Sequence, residues 1–139
     1  MNLSFSATTG TVRQHRKHVT RRVDKSLRLS KLKPGHIMQG IEKGQGIKKG
    51  EHVVKLDKII VLEVSREPLD EIMKNPIRGT PENIRLIYEP VRGRRPCETT
   101  LEGFPELSPR GFVNLFCELN PKCTPDTEIT RLLFDYVRD

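Results

Sequence analysis

Apolar and polar positions alternate first at Leu3-Ser4-Phe5-Ser6-Ala7, which predicts an opening strand with one buried face. Thr8 or Thr9 is placed to cap a short helical turn leading into the next segment. Lys33-Pro34-Gly35 signals a turn, and His36 to Ile41 follows as a short strand. Val53 to Ser65 is the strongest β signal, dense in Val, Ile and Leu and long enough for one bent strand or two. Ser108 then caps a helix with Pro109 at its first position. Leu107 is set to staple against Phe112, and Phe112, Leu115, Phe116 and Leu119 form a core face at helical spacing. Asn120-Pro121 ends that helix. Glu128 to Val137 closes the chain as a strand with Leu132, Phe134 and Tyr136 on one face.

Between these elements the pattern breaks twice. Glu42 to Gly50 is punctuated by glycines but has neither a G-K-[ST] ending nor G-x-G-x-x-G spacing, so a plain hairpin connection is preferred to a phosphate loop. Glu67 to Thr100 carries Pro68, Pro76, Pro81, Pro90 and Pro96 with Gly79 and Gly93, which predicts a long loop with short ordered pieces such as Asn83 to Tyr88. The element order implies an α+β protein of one domain, 1–139. It is built on a small curved sheet or half-open barrel, with one main C-terminal helix and short helical turns.

Charge changes this picture in one place. The segment from Gly10 to Gly35 carries +8 against +7 for the whole chain, so the remainder sums to −1. A stripe so concentrated is the footprint of a polyanion, since each neutralised phosphate releases condensed counterions. Arg16, Lys17, Arg21, Arg22, Lys25 and Arg28 are the candidate nucleic-acid contacts, and Val91-Arg92-Gly93-Arg94-Arg95-Pro96 adds a second basic cluster in the long loop. With no Trp and two Tyr, the chain lacks the usual aromatic stacking platform, so phosphate and shape contacts should dominate.

Composition narrows the other classes. No apolar run approaches the roughly 20 residues needed to span a bilayer, so no membrane role is expected. Cys97, Cys117 and Cys123 form neither a disulfide framework nor a zinc pair, which points to a reducing, cytoplasmic setting. The acid-free first 22 residues also fit a transit peptide, and Arg21-Arg22 a nuclear signal, but neither pattern is specific. His15, His18, His36 and His52 lack metal-pair spacing and read as solvated loop or strand residues, so no metal or other cofactor is expected.

Lys17-His18-Val19-Thr20-Arg21-Arg22 resembles the K-x-[IV]-T-x-R signature of the ASCH superfamily. Leu32-Lys33-Pro34-Gly35 resembles the turn before that family's next strand, and Glu102-Gly103-Phe104 ahead of Ser108 resembles its acidic-Gly segment before a helix. The same segments look like small ASCH proteins of bacteriophages and prophages. The resemblance implies a PUA-like β-barrel with RNA or nucleotide bound beside the signature. It also implies an alternative activity, known in some bacterial members: an amidohydrolase that removes the acetyl group from acetylated cytidine, with Lys17, Thr20 and Glu102 in the catalytic positions. A threonine hydroxyl needs a base, and a lysine desolvated in a cleft can serve as one. His15 stands where the family usually has a small residue, and the 67–100 insertion lies where many members are short. A third reading is a phage-encoded interaction protein that binds a host factor through that long loop.

Overall fold

A computed structural model describes residues 2–42, 53–74 and 98–137 of the chain. Five strands form one mixed sheet: β1 (Asn2–Ser4), β2 (Val19–Arg22), β3 (Ile37–Ile41), β4 (Lys55–Pro68) and β5 (Glu128–Tyr136). Their spatial order is β1-β3-β4-β5-β2, with β1 parallel to β3 and every other pair antiparallel. Helix α1 (Thr9–Arg13) follows β1, α2 (Glu98–Leu101) and α3 (Pro109–Leu119) precede β5, and a 3-10 turn occupies Leu69–Met73. No helix among the described residues is long and apolar enough to cross a membrane.

The alternation read from the sequence produces the main core. Leu3 and Phe5 from the first segment meet Met38, Ile59 and Val61, and Leu132, Phe134 and Tyr136 of β5 close over them. A bulge in β4 keeps a charge out of this layer. Val61 pairs with Phe134 but Glu63 with Leu133, so Leu62 is the extra residue. Without it Glu63 would share the face of Ile59 and Val61; with it the carboxylate turns to the opposite face, 3.6 Å from Arg131. A second core lies where α3 rests on the start of β5, joining Leu69, Ile72, Phe112, Val113, Phe116 and Ile129.

Helix α3 begins as its sequence dictates. Ser108 Oγ accepts from the Gly111 amide at 3.0 Å and Pro109 stands at the first helical position. Phe112 has aromatic neighbours on both sides, Phe104 at 5.9 Å and Phe116 at 6.1 Å between ring centroids. Two expectations need correction. The face Phe112-Leu115-Phe116-Leu119 is not wholly core: Phe112 and Phe116 are buried, Leu115 is half-buried and Leu119 is 60% exposed. His18, read as solvated, is fully buried between strands, its ring nitrogens 3.0 Å from the carbonyls of Phe134 and His15.

The sheet is open rather than a barrel. Closure needs a ladder between the edge strands β1 and β2, and β1 is three residues long. What crosses the seam is a side chain: the Arg22 guanidinium donates to the Ser4 carbonyl and lies 5.5 Å from the centre of the Phe5 ring. The glycine-punctuated loop, Asn83 to Tyr88, the second basic cluster, Cys97 and His52 lie outside the described residues.

Candidate functional site

β2 supplies the candidate site by simple alternation. Val19 and Arg21 point to one face and Thr20 and Arg22 to the other, while Lys17 enters just ahead of the strand. The acidic side arrives from far along the sequence through a backbone tie, the His18 amide donating to the Leu101 carbonyl at 2.8 Å. Gly103 then turns the chain with φ +95°, a conformation costly for any residue with a Cβ. A Cβ there would stand 2.5 Å from Thr11 Oγ1, so the glycine is needed for approach as well as for its dihedral. These two features set Glu102 beside Lys17.

The ammonium of Lys17 is enclosed, its side chain 3% exposed. It donates to the Glu102 backbone carbonyl and lies 3.4 Å from Glu102 Oε1. Burial pulls its pKa down from 10.5 to about 8, with the Glu102 carboxylate opposing and the Arg22 and Arg21 charges assisting. About a tenth of the lysine is therefore neutral at pH 7. The backbone of Lys17 is fixed as well, since the Tyr136 hydroxyl donates to its carbonyl at 2.6 Å.

Arg21 is committed to carboxylates. It reaches Glu102 Oε2 at 2.8 Å, Glu98 Oε1 at 3.2 Å and Glu67 Oε2 at 3.4 Å. Burial alone would lower its pKa, but these three carboxylates outweigh burial and raise it. In the ladder Arg21 stands directly opposite Arg131, a like-charge pair that would be unfavourable if bare. Glu98 Oε1 resolves the clash by accepting from both, at 2.6 Å from Arg131 Nε. Thr20 Oγ1 accepts from Arg22 Nε at 2.9 Å, which leaves its own O–H free to donate. Burial lowers the Arg22 pKa, opposed by Glu102.

Lys17, Thr20, Arg21, Arg22 and Glu102 all line one cavity of about 150 Å³ between the seam of the sheet and α3. Its opposite wall is apolar: Phe112, Leu115, Phe116 and Leu119. The three residues expected in catalytic positions are thus in one cavity, though among the described residues Lys17 and Thr20 share no hydrogen bond. Of the expected nucleic-acid contacts, Arg16, Lys25 and Arg28 are exposed, Arg22 is half-buried, and Lys17 and Arg21 are enclosed.

No family model and no curated protein matches the chain. Among solved structures it is similar to the crystal structure of protein EF3133 from Enterococcus faecalis V583, described by the family-model name DUF984. Identity is 16% and the TM-score 0.47, over 91% of this chain and 64% of that one. The chain spans less than two thirds of that protein. The ASCH resemblance therefore stands on the sequence segments that carry it.

Sequence reasoning missed Glu67, Glu98 and Arg131 as parts of this network. Glu67 and Glu98 sit at the ends of a Pro/Gly-rich stretch that read as loop. Arg131 had a usable signal, an arginine in the middle of the apolar run Ile129 to Tyr136, where an unpaired charge would be prohibitive.

Proposed function

We propose that this cavity binds one pyrimidine-sized base of a nucleoside, nucleotide or RNA. The observation that carries the reading is the pairing of a cationic, hydrogen-bonding floor with an apolar helical wall around about 150 Å³. A cavity of that size holds one six-membered ring and little more. A heteroaromatic ring suits both surfaces, presenting a face to Leu115 and Phe116 and polar edge atoms to Lys17, Arg22 and Thr20. Buried cations favour a ligand bearing carbonyl or anionic oxygens. Calorimetric titration with cytidine and acetylated cytidine tests this: saturable binding is expected, and binding of neither nucleoside would refute it.

A second reading, hydrolysis of an exocyclic amide on that base, is favoured by the Lys17 environment. Neutral Lys17 takes the Thr20 hydroxyl proton as Oγ1 attacks the acyl carbon, and Arg22 Nε stabilises the forming alkoxide from its 2.9 Å contact. The tetrahedral intermediate breaks its C–N bond, and the protonated lysine returns the proton to the departing amine. Water then hydrolyses the threonyl ester, releasing acetate. Glu102 positions the ammonium between these transfers. With a base of pKa about 8, kcat/KM should rise with pH through about 8 and level off above it. Thr20→Ala should weaken binding only by the loss of one polar contact and release no acetate. Acetate release by Thr20→Ala at the wild-type rate would remove Thr20 as the nucleophile, and no acetate release by the wild type would refute the hydrolytic reading and leave the binding reading standing.

A further inference from the structure

A second cavity, about 630 Å³, adjoins the first across the last turn of α3, and Leu119 and Asn120 line both. Its volume lies in the usual range for small-molecule sites, roughly 300–1,000 Å³, whereas the first admits a single ring. Three cations line it from three parts of the chain: Lys25 after β2, Arg66 on β4 and Lys122 after α3. Two acids also line it. Asp24 is turned inward, accepting from the Ser30 amide at 2.9 Å and the Thr130 hydroxyl at 3.1 Å. Glu128 is 4.0 Å from Arg66. The surface that faces a ligand therefore has excess positive charge. Beside it stand two exposed aliphatic side chains, Leu119 at 60% and Leu27 at 43%, the latter held at φ +58°.

We propose that this second cavity is a subsite for the nucleotide adjoining the base in the first, so that the preferred ligand is a single-stranded oligonucleotide rather than a free nucleoside. The proposal rests on the base-binding reading above and extends it. The phosphodiester lies against Lys25, Arg66 and Lys122, and the neighbouring base covers Leu27 and Leu119, apolar area that a free nucleoside would leave in water. Two adjoining cavities with one shared ridge fit a ligand with a repeating unit, and the exposed cations of the second, against the enclosed ones of the first, place the solvated phosphate there.

The test compares cytidine with the RNA trinucleotide ACA by fluorescence or calorimetric titration across a salt series. The trinucleotide should bind at least about tenfold more tightly at low salt. Its log–log salt slope should lie between about −0.7 and −1.4, for the one or two phosphates of the trinucleotide that the cations neutralise. Lys122→Glu should remove most of that advantage and leave cytidine binding unchanged, and Lys122→Ala should bring the slope closer to zero. Equal affinity for the two ligands, or a trinucleotide affinity indifferent to Lys122→Glu, overturns the subsite while leaving the base-binding reading intact. Failure to bind either ligand overturns both. A hexaglutamate peptide that displaces the trinucleotide at equal concentration assigns the groove to an acidic protein segment and overturns the nucleotide assignment.

Discussion

Replacing Lys17 by methionine removes a buried ammonium while keeping an unbranched chain of similar length, and it leaves Glu102 compensated because Arg21 still holds the carboxylate at 2.8 Å. The magnitude follows from the position of the pKa. Lowering it from 10.5 to about 8, at about 1.4 kcal/mol per tenfold, means that the fold disfavours the charged lysine by about 3 kcal/mol. The side chain is 3% exposed, so solvent screening takes little from this figure. Below pH 8 both folded and unfolded chains hold the proton and the penalty is present in full. Between about 8 and 10.5 the unfolded chain keeps a proton that the folded chain has released, so stability rises with pH. Urea unfolding of the wild type and Lys17→Met, followed by circular dichroism at pH 7 and pH 10.5, isolates this term as a difference. The wild type should gain up to about 3 kcal/mol on the variant between the two pH values. A difference that stays flat, or that moves the other way, would refute the account of a desolvated Lys17.

Gly103→Ala should lower stability by about 1–3 kcal/mol, because φ +95° is strained for alanine and its Cβ would meet Thr11 Oγ1. The same variant should weaken cytidine binding by displacing Glu102, and unchanged melting and binding would count against that role. Ser108→Ala should cost about 1 kcal/mol in urea unfolding through loss of the hydrogen bond to the Gly111 amide, and a neutral effect would show that the cap is dispensable.

Elements whose signal is local were readable in the sequence. The capped start of α3, the turn at Gly35 and the alternation of Leu132, Phe134 and Tyr136 each depend on neighbours within a few residues. The parallel pairing of β1 with β3, the β4 bulge and the open seam depend on partners far along the chain. The same divide runs through the candidate site. Lys17 and Thr20 came from one hexapeptide, and Glu102 from a resemblance. Glu98 gains its role only by arriving between Arg21 and Arg131, 77 and 33 residues away. The exposure of Leu119 also had no local signal, because helical spacing assigns a face without saying whether a neighbour or a cavity lies against it.

The enclosed charges explain why a basic motif can sit inside the fold. Lys17, Arg21 and Arg131 are buried with Glu67, Glu98 and Glu102, and Arg22 adds a half-buried cation at the seam. Arg21 and Arg131 are tied to carboxylates, so the positive charge that faces the cavity is that of Lys17 and Arg22, both on its wall. Two events can balance it: arrival of an electron-rich or anionic group, or loss of the Lys17 proton. Either one relieves a repulsion that already lowers the Lys17 pKa. They also compete, because an anionic group bound there favours the protonated lysine, whereas a neutral carbonyl leaves the base form accessible. Under the proposed reading, the network is therefore better matched to chemistry on an uncharged amide than to tight retention of a phosphate in the first cavity. That division of labour is what the cationic second cavity, which shares Leu119 and Asn120 with the first, would complete.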